Sequence, residues 1–371
     1  MPVGRSSYRV GNLRFRQLER DAEIVEKVIR FGAVEIKMPS ESEIITRIRQ
    51  RARASDQVLV PVGDDAAVLK WGGAADLIAC SDLMVEGTHF RREWAAAELI
   101  GRKALAVTLS DVAAMGGAAR FAMISFALPR ALPPGFIEEL LEGIFKLADS
   151  AGVSIIGGDT SSSVEMLFID TSVIGECGRG RAITRRGAQV GDDLYITGAL
   201  GASALGLALL ERGLRLEGDS PLDAIHAREA LLKHLAPEPR LKIGQAIGER
   251  GLATAMIDIS DGLSTDLWHI LDESGCGAII QADEIPIANC VRLLAMGDKE
   301  IDPLRLALHG GEEYELLFSS SPENRARVAE LSTELGLPAA IIGRVVSDKG
   351  LRLERDGSLE PLPPSGYEHT I

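Results

Sequence analysis

The chain is short of several residue types, and each shortage removes a class of protein. Cysteine occurs four times in 371 residues, at Cys80, Cys177, Cys276 and Cys290, with no CxxC pair and no zinc-ligand spacing. That excludes a dense disulfide scaffold and fits reduced thiols in a cytoplasm. Histidine occurs six times, a sparse set that argues against a zinc site, and no Ser-His-Asp order stands out. No apolar run approaches the roughly 18–20 residues that cross a bilayer. Positive charge is the scarcer sign, with 40 Lys and Arg against 54 Asp and Glu and a formal net charge of −14. Nucleic acids and anionic membranes call for a basic face, so neither is an expected partner. The first twenty residues carry Arg5, Arg9, Arg14, Arg16 and Arg20 but no apolar signal core, which argues against export.

What is present is a soluble composition, 46% hydrophobic and 25% charged, on a chain long enough for two domains. Residues 1–36 read as a basic extension, with an amphipathic helix possible over 21–36. Ser40 and Glu43 before Ile44, Ile45 and Ile48 form a capping-box start to a helix. Apolar segments then alternate with longer helical patterns. Strands are expected at LIAC (77–80), AMISFALP (122–129), SIIGG (154–158) and LFIDTSVIGE (167–176). Helices are expected at 98–116 and at 133–152, the latter with proline at its start and glycine at its end. Residues 178–193 (GRGRAITRRGAQVGDD) break the pattern. We place a domain junction at about residue 184, giving domains 37–183 and 184–371. The second half resumes with LYITG, a small-residue helix (202–212), a helical pair within 221–250, TAMIDIS (254–260) and a helix over 262–275. LRLALHGGEEYELLFS, PAAIIGRVV and a proline-rich tail close the chain. This is an α/β (α+β layered) architecture.

Against that background the acids stand out. VGDDAAVL (62–69) sets Asp64 beside Asp65 between apolar runs, with no Lys or Arg inside the segment. Apolar stretches end in a small residue and then Asp at Asp82, Asp111, Asp159 and Asp261, and Asp258 precedes the last by three positions. Any one of these is accounted for as a helix cap. Together, at one rim of the sheets, they would be untenable without hard cations, and an all-oxygen set suits Mg²⁺. Magnesium completes its shell with substrate phosphates, so the pattern points to a phosphate-bearing ligand. The chain has no GxxxxGK[ST] loop, no GxGxxG after a strand and no protein-kinase signature. The remaining anion grips are IIGGDT, whose glycines leave N–H groups open or simply make a turn, and Arg185. Trp71 and Trp94 read as packing or rim residues and Trp268 as core.

Six segments, VGDDAAVL, CSDLMVEGTHF, KALAVTLSDVAAMGG, IIGGDTS, MIDISDGLSTDL and HGGEEYELLF, occur in the order found in the thiamine-monophosphate kinases. The chain resembles that family, within the aminoimidazole ribonucleotide synthetase (PurM-like) superfamily, from about residue 40 to Tyr367. The resemblance implies ATP-dependent phosphorylation of thiamine monophosphate to thiamine diphosphate. It also implies a two-domain fold whose N-terminal sheet pairs with a second subunit's into a barrel, and a homodimer. By position, Asp65, Cys80, Ser81, Asp82, Asp111, Asp159, Asp258 and Asp261 match magnesium positions. Asp111, Asp65 and Asp258 are the expected catalytic set. Gly158, Asp159, Arg185 and Ser260 match nucleotide positions; His89, Glu312 and Tyr367 match the thiamine-phosphate pocket. Cys80 replaces a common Thr or Ser, and Ala202, Ala236 and Leu141 replace a family aspartate, arginine and tyrosine. A phosphate acceptor is already largely dianionic near neutrality, since its second pKa is about 6, so the scarcity of histidine bases is no obstacle. A sister ATP-dependent enzyme of the superfamily acting on another acceptor, and a non-catalytic Mg-nucleotide-binding regulator, are the alternatives.

Overall fold

The computed structural model describes residues 56–216 and 224–367, together with Thr46 and Gln50. The expected helix over 21–36, the Ser40–Glu43 capping box and the basic extension lie outside the described residues. Residues 47–368 form one compact unit.

Its first half is built on a seven-stranded sheet. Strands β1 (Val58–Val60), β2 (Ala67–Lys70), β3 (Ala75–Val85), β4 (Ala118–Pro129), β5 (Ser154–Gly157), β6 (Thr160–Ser163) and β7 (Phe168–Gly178) run in the order β1-β2-β3-β7-β4-β5, with β6 also on β4. Period-2 alternation decides which face is covered. Ile78 and Met84 of β3 and Ile169 and Val173 of β7 point into the core beneath α1 (Ala97–Ala114) and α2 (Phe136–Ala151). The other face is open: Leu83, Met123 and Phe121 are exposed there, and Ser81, Ser172 and Met123 lie side by side in register. Helices α1 and α2 touch through glycine. A Cβ on Gly101 would lie 1.9 Å from the Leu140 carbonyl oxygen, and one on Gly143 would lie 1.8 Å from that of Glu98.

The second half carries β8 (Asp193–Thr197), α3 (Ala202–Glu211), α4 (Ala224–Leu235), α5 (Leu241–Arg250), β9 (Ala255–Asp258) and α6 (Leu263–Ser274). They are followed by β10 (Gly277–Gln281), α7 (Asn289–Gly297), α8 (Pro303–His309), β11 (Leu316–Ser320), α9 (Arg325–Leu335), β12 (Ala339–Val346), β13 (Gly350–Arg355) and β14 (Ser358–Pro361). The second sheet runs β14-β13-β10-β12-β8-β11-β9. Strands β8 and β11 are buried along their whole length, and Tyr195 stacks on Phe318 with centroids 4.9 Å apart. Helix α1 also packs against α5 and β9, and Ala113 and Ala114 share a core with Ile243, Ile247 and Met256.

Three local expectations need correction. The strand read at 77–80 runs from Ala75 to Val85 because β7 pairs with it throughout, Ala75 opposite Gly178 and Val85 opposite Phe168. The tail contains the β13–β14 hairpin, closed by Asp356 and Gly357 at positive φ. Trp268 is not core: it is 37% exposed, because α6 turns Leu267, Ile270 and Leu271 inward instead.

Candidate active site

Three carboxylates from three separate elements converge. Asp65 sits in the β1–β2 loop, Asp111 in the last turn of α1 and Asp258 at the end of β9; one oxygen from each lies within 4.8 Å of the other two. Like charges this close, out of water, raise the cost of ionising Asp111 and Asp258. Burial pushes the Asp258 carboxyl up to about 7, with Asp65 adding to it. Burial, then Asp82 and Asp258, pushes Asp111 well above the carboxylate range. Asp82 hangs from the core face of β3; burial raises it too, and Asp170 contributes. One buried oxygen of Asp65 and one of Asp82 have no hydrogen-bond partner among the described residues. An all-oxygen cluster with unspent lone pairs fits a hard divalent cation.

Arg185 answers part of the charge. Its Nη2 lies 2.6 Å and its Nε 3.3 Å from Asp65 Oδ1, and its backbone N–H donates to Asp64 Oδ2 at 3.1 Å. Asp64 also accepts the backbone N–H of Asp65, yet burial and its neighbour Asp65 lift it to about 6. Arg185 is held from behind by α6, where Ser274 donates to its carbonyl and accepts from Gly187 and Ala188. Burial works against the Arg185 cation, but Asp65, Asp64 and Asp258 outweigh it and raise its pKa.

The other expected metal positions are distributed. Cys80 donates its thiol to the Thr108 carbonyl at 3.4 Å, and burial beside Asp111 and Asp82 keeps that thiol protonated. Ser81 points to the open sheet face, where its hydroxyl meets Asp170 and Ser172 at 3.0 Å each. Its side chain is therefore directed away from Asp82, as strand alternation demands. Asp159 is exposed and its carbonyl accepts from Phe126 N–H at 2.9 Å; it is not in the close trio. Gly158 before it has φ +149, and a Cβ there would overlap the Ile124 carbonyl at 1.7 Å, so glycine is required. Asp261 is drawn toward α6 by its backbone: its N–H and that of Gly262 both donate to the buried Asp266, at 3.2 and 3.0 Å.

The acceptor-pocket positions are knitted to the same segments. Glu312 N–H donates to the Ser260 carbonyl at 2.6 Å, and Tyr367 N–H to the Asp261 carbonyl at 3.0 Å. Glu312 and Tyr314 both adopt left-handed φ, at +58 and +51. His89 accepts the Val85 N–H on Nδ1 at 2.9 Å, which fixes its ring. Sequence reasoning missed the buried titratable side chains behind this pocket: Lys103, His234, Glu315 and Asp266. A lysine inside the apolar run KALAV was the available signal for the first.

Two family models divide the chain: AIR synthase related protein, N-terminal domain, matches residues 63–177, and the corresponding C-terminal domain matches 189–356. A thiamine-monophosphate kinase from Salmonella typhimurium is 37% identical over 331 residues, spanning 89% of this chain and 98% of that relative. The chain belongs to the thiamine-monophosphate kinase family. A solved family structure from Stenotrophomonas maltophilia superposes with a TM-score of 0.71 at 36% identity, covering 85% of this chain and 96% of that one. The solved AaThiL complexed with AMPPCP and TMP superposes with a TM-score of 0.77 at 29% identity, covering 90% and 99%. The mixed α/β two-domain PurM-like fold is thus shared with the family.

Proposed function

We propose that the protein transfers the γ-phosphoryl group of ATP to thiamine monophosphate, giving thiamine diphosphate and ADP. The observation that carries this reading is the Asp65–Asp111–Asp258 trio, gathered from a loop, a helix end and a strand end with Arg185 against it. Family membership names the acceptor, and a relative solved with AMPPCP and TMP supports the pairing of nucleotide with thiamine monophosphate.

The residues fit Mg²⁺, with Asp65, Asp111 and Asp258 as its inner holders and Asp82 beside them. Bound there, magnesium would supply charge neutralisation for the phosphates. Asp159, Asp261 and the backbones at Cys80 and Ser81 complete the proposed cage, with Gly158 and Ser260 along the nucleotide. The Arg185 guanidinium meets nucleotide phosphates. His89, Glu312 and Tyr367 bound the acceptor. No side chain need remove a proton, because the attacking phosphate oxygen already carries charge at neutral pH. Direct in-line transfer therefore depends on position and electrostatics.

The assembly we propose is a cytoplasmic homodimer of chains divided near residue 184, with the open faces of the first sheets pairing. Leu83, Phe121, Met123 and Ile156 are exposed on or beside that face and would give the partner an apolar surface. The test of the reaction is product chromatography after incubation with Mg²⁺ and ATP, with and without thiamine monophosphate. Thiamine diphosphate should form, and Asp111→Asn should lower its rate at least about a hundredfold. ADP release indifferent to thiamine monophosphate would transfer the chain to a sister acceptor.

A further inference from the structure

We propose that Lys103 is a positioning residue that fastens the two sides of the acceptor pocket together, holding the His89 loop and the Glu312 carboxylate in one arrangement. The inference rests on the reading that His89 and Glu312 face the acceptor. Lys103 is on α1, in the first half, and is 2% exposed. A buried ammonium is costly unless partnered, so its partners are specific. Its Nζ lies 2.7 Å from Glu312 Oε1, in the second half, and donates to the His89 carbonyl at 3.3 Å. One ammonium thus ties two loops that are more than two hundred positions apart in sequence.

The other oxygen of Glu312 lies 3.2 Å from His234 Nδ1, and the same nitrogen lies 3.2 Å from Ser203 Oγ. Burial, then Lys103, lowers His234 to about 4, so it is neutral at pH 7 and leaves Lys103 as the cation paired with Glu312. Burial pushes the Glu312 carboxyl up, and Lys103, by its charge and its hydrogen bond, leads the groups that more than offset it. The backbone is equally constrained: φ of +58 is unfavourable for glutamate and is held by the short bond to Ser260. The Glu312 side chain nevertheless keeps 27% of its surface exposed, whereas that of Lys103 keeps 3%. Glu312 is therefore the member of the pair that can meet a ligand, suited to a cationic or N–H-bearing ring. Lys103 acts behind it, removing conformational freedom that binding would otherwise have to freeze.

The test is steady-state kinetics of the full chain. Lys103→Met, close in volume and uncharged, should raise KM for thiamine monophosphate tenfold or more. KM for ATP should stay within twofold, and kcat should fall less than the acceptor KM rises. A purely structural role would move both KM values together. The double variant Lys103→Met/Glu312→Gln removes both charges at once, so it should fold where the single lysine variant does not. Its acceptor KM should lie within tenfold of that of Glu312→Gln alone, the difference being the lost tie to the His89 carbonyl. An unchanged acceptor KM in Lys103→Met, an equal rise for ATP, or a double variant tenfold worse than Glu312→Gln overturns the inference. Wild-type protein that ignores thiamine monophosphate overturns the acceptor reading, and this inference with it, before any variant is made.

Discussion

Arg185 gives two side-chain N–H groups to a single oxygen of Asp65, at 2.6 and 3.3 Å, and its backbone N–H to Asp64. The cation that offsets the adjacent aspartates therefore comes from a segment 120 positions away, at the turn between the two sheets. Asp65 is almost fully buried and Arg185 about a quarter exposed, so the pair is shielded but not dry.

Arg185→Met strands the Asp65 charge. We expect a stability loss of about 2–3 kcal/mol, at the low end for a buried pair because Arg185 is partly solvated. Urea unfolding in EDTA should show a lower midpoint at an unchanged slope. A midpoint equal to wild type would mean that the Arg185–Asp65 pair contributes nothing to stability.

Asp258 makes a pH prediction. Its folded-state pKa of about 7 lies above the roughly 3.9 of an unfolded chain. The folded protein thus keeps a proton that the unfolded chain releases. This favours folding fully below pH ~4, and the contribution is lost as pH rises through about 7. Asp258→Asn removes it, so in EDTA the variant should gain on wild type between about pH 4 and 7. The gain should approach about 1.4 kcal/mol per pH unit at most. Parallel stability curves for the two proteins would refute the clustering.

Gly143→Ala tests the seat of Asp111. The added methyl would press on the Glu98 carbonyl of α1 and separate the two helices. We expect about 1–3 kcal/mol of destabilisation, read by thermal unfolding. A neutral result would show that α1 and α2 are not in close contact.

The sequence announced its strands and helices by period and punctuation, and Gly152 and Gly275 end α2 and α6 in the left-handed conformation as their placement suggests. The recurring aspartates were equally plain, because acids at the ends of apolar runs are visible one by one. Convergence was not visible. Asp65, Asp111 and Asp258 meet only because α1 packs on both sheets, a tertiary fact with no local signature. Ser81 reads like its neighbour Asp82, yet one step along a strand sends its hydroxyl to the opposite face. Trp268 looked like core by residue type, while its position on the α6 surface was set by Leu267 and Leu271. Lys103 escaped notice because its partners, the Glu312 carboxylate and the His89 carbonyl, are distant in sequence.

The proposed direct transfer between phosphates held by an aspartate cage leaves no phosphorylated protein on its path. The measurement is the fate of the label from [γ-³²P]ATP, with Mg²⁺, in the presence and absence of thiamine monophosphate. We expect one labelled phosphate per thiamine diphosphate formed, and no labelled protein when the acceptor is withheld. Label released as inorganic phosphate regardless of acceptor, or a labelled protein that passes its phosphate to thiamine monophosphate on chase, would contradict it.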